Sequence, residues 1–467
     1  MDGRKMSPLE RAAMVRAKVC PACGREHTMP DIRIELEKGA ISRLPQICRE
    51  LGISNPFLLM DENTRKAAGN TVMELLGRAG LPYMPVCLPA EPKLQADTDV
   101  LPELQMKAKG NDFILGVGSG VINDICKMLG LYAGVRTGII ATAPSMDGYA
   151  SNSSAMIVDG VKTTLYNHTP ALVLGDLAVL THAPEQMLGA GIGDMAAKAI
   201  SIAEWRIAHI VTGEYFCQPI AEMMLAACSQ ALDNGKASMS GDVRAVGELT
   251  GGLVLSGIAM SMTQVSRPAS GSEHTLSHLM DMLAIARHAQ HRLHGVQVGY
   301  GVRVALLLYE ALVNRKEALP GPDAVLAQFN APRWEADMRR VFGSQADTLI
   351  HAAKDEGRNT PEALRERAQK AHNHWADIQT ILRGTLSQKK DITAALDTAG
   401  IPPLNQPQAL GLTKEDVLDL FLNTKDLRAR YIMPGMAFDL GLLPWMRDQL
   451  MNALGIVRDR RRYFDYE

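Results

Sequence analysis

Aromatic side chains are scarce in this chain, at 5% of 467 residues. Its interior must therefore be filled largely by aliphatic groups and by its 25 methionines, whose unbranched thioethers adapt to irregular gaps between helices. A surplus of charge is missing as well. The formal net charge is −2, so no broad basic field points to nucleic acid or to an anionic membrane surface. The one dense basic cluster, RDRRRY at 458–463, reads as a solvated helix end. No uninterrupted apolar run approaches the ~20 residues that a bilayer span requires, so no membrane span is expected. The opening stretch MDGRKMSPLERAAMVRAK is charged throughout and lacks the apolar centre of a secretory signal. Seven cysteines, an odd number, sit mostly in apolar segments. That pattern suits reduced thiols and a cytoplasmic protein.

The hydrophobic fraction, 46%, is ample for large cores, and the length suggests more than one domain. Residues 31–181 alternate strand-like and helix-like pieces. IRIELEKG (32–39), FLLMDENT (57–64), YMPVCL (83–88), DFILGVG (112–118), TGIIATA (137–143) and ALVLGDL (171–177) are the strand candidates. Such alternation predicts an α/β domain with a parallel sheet covered by helices. From about 182 onward strand-like runs almost vanish, and long amphipathic stretches predict an all-helical second domain over 182–467. Residues 1–30 stand apart as an N-terminal extension.

DFILGVGSGVINDICKMLG (112–130) joins an apolar strand, a glycine cluster and a helix. Gly116, Gly118 and Gly120 lack Cβ atoms where the chain turns, which permits close approach by a ligand. The helix behind them would aim free N–H groups and its dipole at an anion such as a nucleotide pyrophosphate. A purely structural turn explains the glycines equally well, and G-x-G-x-G is not the G-x-G-x-x-G fingerprint. TAPSMDGYASNSS (142–154) follows the next strand and gathers hydroxyls around Asp147. Loops at the carboxyl ends of parallel strands are where ligands bind in open α/β sheets, although Asp-Gly is also ordinary turn chemistry.

In the helical half, Asp194 lies in GAGIGDMAAK, His274 in SGSEHTLSH and His294 in LHGVQVGYG. A carboxylate with two neutral imidazoles would form an open site for a borderline divalent cation, with positions left for substrate or water. A metal there polarises an alcohol oxygen and lowers its pKa. The spacings match no local metal motif, and for each histidine a buried, hydrogen-bonded role is the competing account. His278, one turn beyond His274, would line the same cavity.

In this order, GVGSGVINDICK, TAPSMDGYAS, GAGIGDMAAK, RPASGSEHTLSH and HGVQVGYG resemble the glycerol-1-phosphate dehydrogenase group of the iron-dependent alcohol dehydrogenase and dehydroquinate synthase superfamily. The resemblance spans roughly residues 20–310. It implies a dehydroquinate synthase-like fold, with a Rossmann-like nucleotide-binding α/β domain, a helical domain and an active site in the cleft between them. It also implies Asp194, His274 and His294 as metal ligands, with zinc or nickel the usual ion and ferrous iron a further option. Gly116, Gly118, Ser119, Gly120 and Asp124 would cradle NAD(P)H, helped by Thr142 and Ser145. Asp147 and Ser151 would face substrate or nicotinamide, and Asp61 the adenosine part. A homodimer is the common assembly. The implied reaction is hydride transfer between NAD(P)H and dihydroxyacetone phosphate, giving sn-glycerol 1-phosphate, with a water chain or His278 relaying the proton. A polyol dehydrogenase on an unphosphorylated alcohol, a cyclase of the dehydroquinate synthase kind and a non-catalytic binding protein are the rival readings.

Where iron alcohol dehydrogenases carry a further histidine ligand, this chain has Lys198. That cation, and Arg267 just before PASGSEH, are candidates to hold a substrate phosphate, with a structural surface role as the alternative for Lys198. CPACGREH (20–27) falls outside this scheme. Cys20, Cys23 and His27 have spacing compatible with a small zinc site, but three ligands need a fourth, and a structural role without metal is the first reading.

Overall fold

A computed structural model describes residues 8–91 and 94–456. The basic cluster at 458–463 lies outside the described residues. Six strands form one parallel sheet: β1 (Arg33–Glu37), β2 (Pro56–Asp61), β3 (Met84–Leu88), β4 (Phe113–Gly118), β5 (Arg136–Ala141) and, after an inserted hairpin, β8 (Leu172–Asp176). The spatial order is β1-β8-β5-β4-β2-β3. All six strands expected from apolar runs form, five within two residues of their anticipated limits and β2 ending three residues early, at Asp61. Every residue of β4 and of β8 is buried, as it should be when helices cover both faces of a parallel sheet. Alternate side chains enter two cores. Leu58, Met60, Leu115 and Leu174 pack on one face with Ile47, Val72 and Leu76, while Phe57, Leu59, Ile114 and Val173 join the core that continues into the helical body.

The hairpin of β6 (Ser153–Val158) and β7 (Val161–Tyr166) is antiparallel and separate from the sheet. The sequence alone marks no element over 155–166. The hairpin's residues, SSAMIV and VKTTLY, alternate too weakly to mark a half-buried strand. Its position is fixed instead by contacts with α1 (Gly120–Ala133). Asp124 Oδ2 accepts the N–H of Ala155 at 3.1 Å, and Ser154 Oγ donates to the Asp124 carbonyl at 3.2 Å.

Past Asp176 the described chain is helical. Four helices carry the site: α2 (Glu185–Thr212), α3 (Val243–Thr263), α4 (Ser272–Ala286) and α5 (His294–Asn314). Two of them, α3 and α5, are long and apolar enough to cross a membrane by length and composition, but their most apolar windows are 89% and 67% buried within the fold. They are core helices. Glycine sets how closely α2 approaches its neighbours. A Cβ on Gly191 would lie 1.9 Å from the Pro144 carbonyl oxygen, and one on Gly295 would lie 1.9 Å from that of Ala190. These bare contacts bring the loop after β5, the middle of α2 and the start of α5 together, and the candidate site lies at that meeting point.

Candidate metal and nucleotide site

Asp194, on the buried middle of α2, His274, in the first turn of α4, and His294, which opens α5, each present one ligand atom, and the three atoms lie within 4.8 Å of one another. His274 Nε2 is 3.5 Å from Asp194 Oδ1. The His274 and His294 rings meet edge to face, with centroids 5.1 Å apart.

The outer nitrogens are already engaged. His274 Nδ1 lies 2.9 Å from Glu273 Oε1. His294 Nδ1 lies 3.1 Å from Ser277 Oγ, whose hydroxyl donates to Gln297 Oε1 at 2.8 Å. Gln297 in turn donates from Nε2 to Asp281 Oδ1 at 3.1 Å. Because the Ser277 proton is directed to Gln297, the hydrogen on His294 belongs on Nδ1, and Nε2 keeps its lone pair. Ligating histidines are typically held in this way, with the far nitrogen bound to an outer partner. One carboxylate and two imidazoles so oriented suit a borderline divalent cation and leave coordination positions open.

Lys198 sits one turn beyond Asp194, and its side chain is fully buried. Its ammonium donates to Asp147 Oδ2 at 2.6 Å, to Asp194 Oδ1 at 2.9 Å and to the Ala269 carbonyl at 3.3 Å. Burial alone would push this lysine down, but Asp147 and Asp194 outweigh it and hold the group above its ordinary range. Burial would likewise raise Asp194, yet Lys198 and His274 keep it well below the usual carboxylate range. Asp147 also accepts from Ser256 Oγ at 2.7 Å, and its own N–H donates to Asp194 Oδ2 at 3.0 Å. Three protein acceptors use the three protons of Lys198, which leaves none for a phosphate. Arg267 is buried with Nη1 lacking a hydrogen-bond partner, and its other groups are engaged. It donates to the carbonyls of Glu204 and Tyr431 and pairs with Glu214 at 3.0 Å. Neither residue borders the cavity, and the phosphate-holding reading of both is corrected on that ground.

A cavity of about 580 Å³ opens in front of this cluster. Ser119, Gly120 and Asp124 border it at the N-terminal end of α1, with Ser145, Asp147 and Ser151 from the loop after β5 and His274, His278 and His294 from α4 and α5. Asp194 lies just behind the wall, fully buried. The glycines divide by role. Gly120 faces the cavity, where a Cβ would sit 3.3 Å from Met146 Cγ, whereas Cβ atoms on Gly116 and Gly118 would strike Cys126 Sγ at 2.8 Å and Ile122 Cβ at 2.6 Å. Gly116 and Gly118 therefore allow α1 to pack on its strand. Thr142 is buried, and its N–H donates to the Gly118 carbonyl at 3.0 Å, joining the ends of β4 and β5. Asp61 uses its carboxylate to cap the turn after β2, accepting from the N–H groups of Asn63 and Thr64, and does not border the cavity.

Several contributors escaped the sequence reading. Lys127, buried on α1, donates to the Gly148 carbonyl at 3.0 Å and to Ser151 Oγ at 3.1 Å and so shapes the loop that carries Asp147. A lone lysine among apolar helix positions was the available signal. Lys162 and Thr164 on β7 and Arg428 also border the cavity. Arg428 donates to Thr164 Oγ1 at 3.1 Å, and among the described residues no carboxylate lies within ion-pair distance of it. His278 is held well below its ordinary pKa by burial, with Arg428, His294, His274 and Lys162 adding to the effect, so it is neutral.

Residues 35–184 match the family model described as iron-containing alcohol dehydrogenase. The chain is 33% identical over 315 residues to a glycerol-1-phosphate dehydrogenase [NAD(P)+] of Halalkalibacterium halodurans, covering 67% of this chain and 79% of that protein. It is also 33% identical over 280 residues to one of Thermofilum pendens, covering 59% and 78%. Among solved structures, a probable glycerol dehydrogenase of Sinorhizobium meliloti shares the fold with a TM-score of 0.58 at 16% identity, over 92% of this chain and 98% of that one. An iron-containing alcohol dehydrogenase of Thermococcus thioreducens does so at 0.58 and 13%, over 92% and 100%. The chain belongs to the glycerol-1-phosphate dehydrogenase group of the iron-containing alcohol dehydrogenase family.

Proposed function

We propose that this chain is a metal-dependent, NAD(P)-linked oxidoreductase that interconverts dihydroxyacetone phosphate and sn-glycerol 1-phosphate. The observation that carries the reading is the convergence of Asp194, His274 and His294 at one cavity that also receives the N-terminal end of α1 and the Arg428 guanidinium, which no carboxylate pairs among the described residues. Asp194 and the two imidazoles hold a divalent ion, with zinc, nickel or ferrous iron all compatible with the donors. When both groups are bound, the ion supplies Lewis acidity toward a substrate oxygen and the nicotinamide supplies or accepts the hydride.

The chain's own residues do the rest. Glu273 and Ser277 fix the imidazoles, so little reorganisation is needed when the ion arrives. Lys198 neutralises Asp147 and Asp194 and holds both carboxylates in place, acting as a positioning residue. The N-terminal end of α1, at Ser119 and Gly120, offers N–H groups to the cofactor pyrophosphate. Arg428 and Lys162 grip the substrate phosphate, a bidentate task that suits a guanidinium. His278, neutral beside these cations, exchanges a proton with the substrate side through water. The enzyme is read as a cytoplasmic homodimer, its compartment inferred from the reduced cysteines.

The test is NAD(P)H oxidation with dihydroxyacetone phosphate and with unphosphorylated dihydroxyacetone, using protein stripped of metal and then reloaded with zinc or nickel. Metal-restored turnover that favours the phosphorylated ketone is expected. Full activity in the stripped protein, or a preference for the unphosphorylated ketone, overturns the reading.

A further inference from the structure

We propose that Cys20, Cys23, His27 and Cys217 form a closed tetrahedral zinc site that fastens the N-terminal segment to the helical body. The three local residues lacked a fourth ligand in the sequence, and the fold supplies it from 190 residues beyond His27. One ligand atom from each of the four lies within 4.8 Å of the others. A zinc ion with Zn–S of about 2.3 Å and Zn–N of about 2.05 Å places sulfurs about 3.8 Å apart and sulfur about 3.5 Å from nitrogen. Cys20 Sγ and Cys217 Sγ are 3.9 Å apart. Cys23 Sγ lies 3.3 Å from His27 Nε2, slightly inside the sulfur-to-nitrogen distance of such a site.

The local backbone is shaped for this. Cys20 to Gly24 make a tight turn, with Gly24 N–H donating to the Cys20 carbonyl at 2.7 Å and Gly24 in the left-handed region at φ +72°. The N–H groups of Ala22 and Cys23 point at Cys20 Sγ. An antiparallel bridge between Ala17 and His27 closes the loop and turns the imidazole toward the sulfurs. The other buried cysteines, Cys48, Cys126 and Cys228, lie singly among apolar neighbours, as small hydrophobes do. Gathering three thiols and one imidazole with Cys20, His27 and Cys217 almost wholly buried has no such packing rationale.

Four protein ligands leave no open position, so the site is structural. Its reach extends inward. Cys217 ends the 213–217 loop that follows α2, and within that loop Glu214 pairs with Arg267 at 3.0 Å, shortly before the turn that leads to His274. Arg25 stacks 3.8 Å over the Tyr215 ring, and Tyr215 OH lies 3.0 Å from His27 Nε2, so the loop is clasped from the N-terminal segment.

Cobalt loading of the full-length chain separates this site from the catalytic one, because Asp194, His274 and His294 offer no sulfur. Cobalt-loaded wild type is expected to show a sulfur-to-cobalt charge-transfer band in the near ultraviolet, and Cys217→Ser to weaken it and release one metal equivalent. A second measurement needs no variant. In freshly purified protein, Cys20, Cys23 and Cys217 should resist alkylation until a chelator is added, while exposed Cys87 reacts throughout. Absence of the band, alkylation of the three thiols without chelator, or a disulfide between two of them would each overturn the site.

Discussion

The Lys198 ammonium lies 2.9 Å from Asp194 Oδ1, one helical turn along the same buried helix, and this pairing sets the charge of the whole cluster. Lys198 bridges Asp194 and Asp147, and in the metal-free protein His274 adds a second positive charge 3.5 Å from Asp194. Lys198→Met removes the cation and leaves two buried carboxylates facing each other. Removing one partner of a buried pair typically costs about 3–5 kcal/mol. A divalent ion at Asp194 offsets that cost. The variant should therefore melt well below wild type without metal, and added zinc should raise its Tm by more than it raises that of wild type. Equal zinc-induced shifts in the two proteins would remove the charge-balancing role from Lys198.

Ser277 tests whether the outer partners matter. It receives the His294 Nδ1 hydrogen and passes a hydrogen bond to Gln297 and so to Asp281. Ser277→Ala cuts that chain without touching a ligand. Losses of an outer partner generally weaken metal binding by roughly 10- to 100-fold. Competition with a chromophoric chelator measures the change directly. An affinity unaltered by Ser277→Ala would mean that packing alone orients His294.

Much of this was legible in the sequence, and the gaps have physical causes. The six sheet strands announce themselves because strands buried on both faces must be continuously apolar, as in FILGVG and LVLGD. The hairpin over 153–166 does not, since it covers a cavity and carries the polar residues that such a surface requires. Asp194, His274 and His294 were found through the order of five motifs, not through spacing. The buried pairing of Lys198 and Arg267 was not legible, because a sequence does not report which cations are already paired. Arg428 was not legible for a related reason: nothing in KDLRARY says which of its basic side chains reaches the cavity.

Arg428 carries a prediction that separates the phosphorylated from the unphosphorylated substrate. It borders the cavity beside Lys162 and Thr164, and only Thr164 is its side-chain hydrogen-bond partner among the described residues. A hydrogen bond to a charged group contributes about 1.5–3 kcal/mol. Arg428→Met should thus lower kcat/KM for dihydroxyacetone phosphate by roughly 10- to 100-fold. Turnover of dihydroxyacetone should hardly change. Parallel losses on both substrates would assign Arg428 to the frame of the cavity.

The pH dependence of metal uptake follows from His274. Burial would lower its pKa, but the Asp194 and Glu273 carboxylates prevail and pull it up to about 9 in the metal-free protein. At pH 7 this imidazole is therefore protonated before metal arrives, and binding must expel that proton. Metal affinity should fall about tenfold for each unit by which pH drops below 9, as expected for one competing proton. Stability of the metal-free protein should run the opposite way. A histidine whose pKa is raised on folding stabilises the native state fully below its unfolded value of about 6.5 and loses that contribution as pH rises through about 9. The metal-free Tm should accordingly decline between those limits, while the metal-loaded protein, whose His274 bears no proton, should lack this decline. Calorimetric titration in buffers of different ionisation enthalpy counts the released protons directly. A count near zero at pH 7 would mean that His274 is already neutral and that its carboxylate neighbours do not govern uptake.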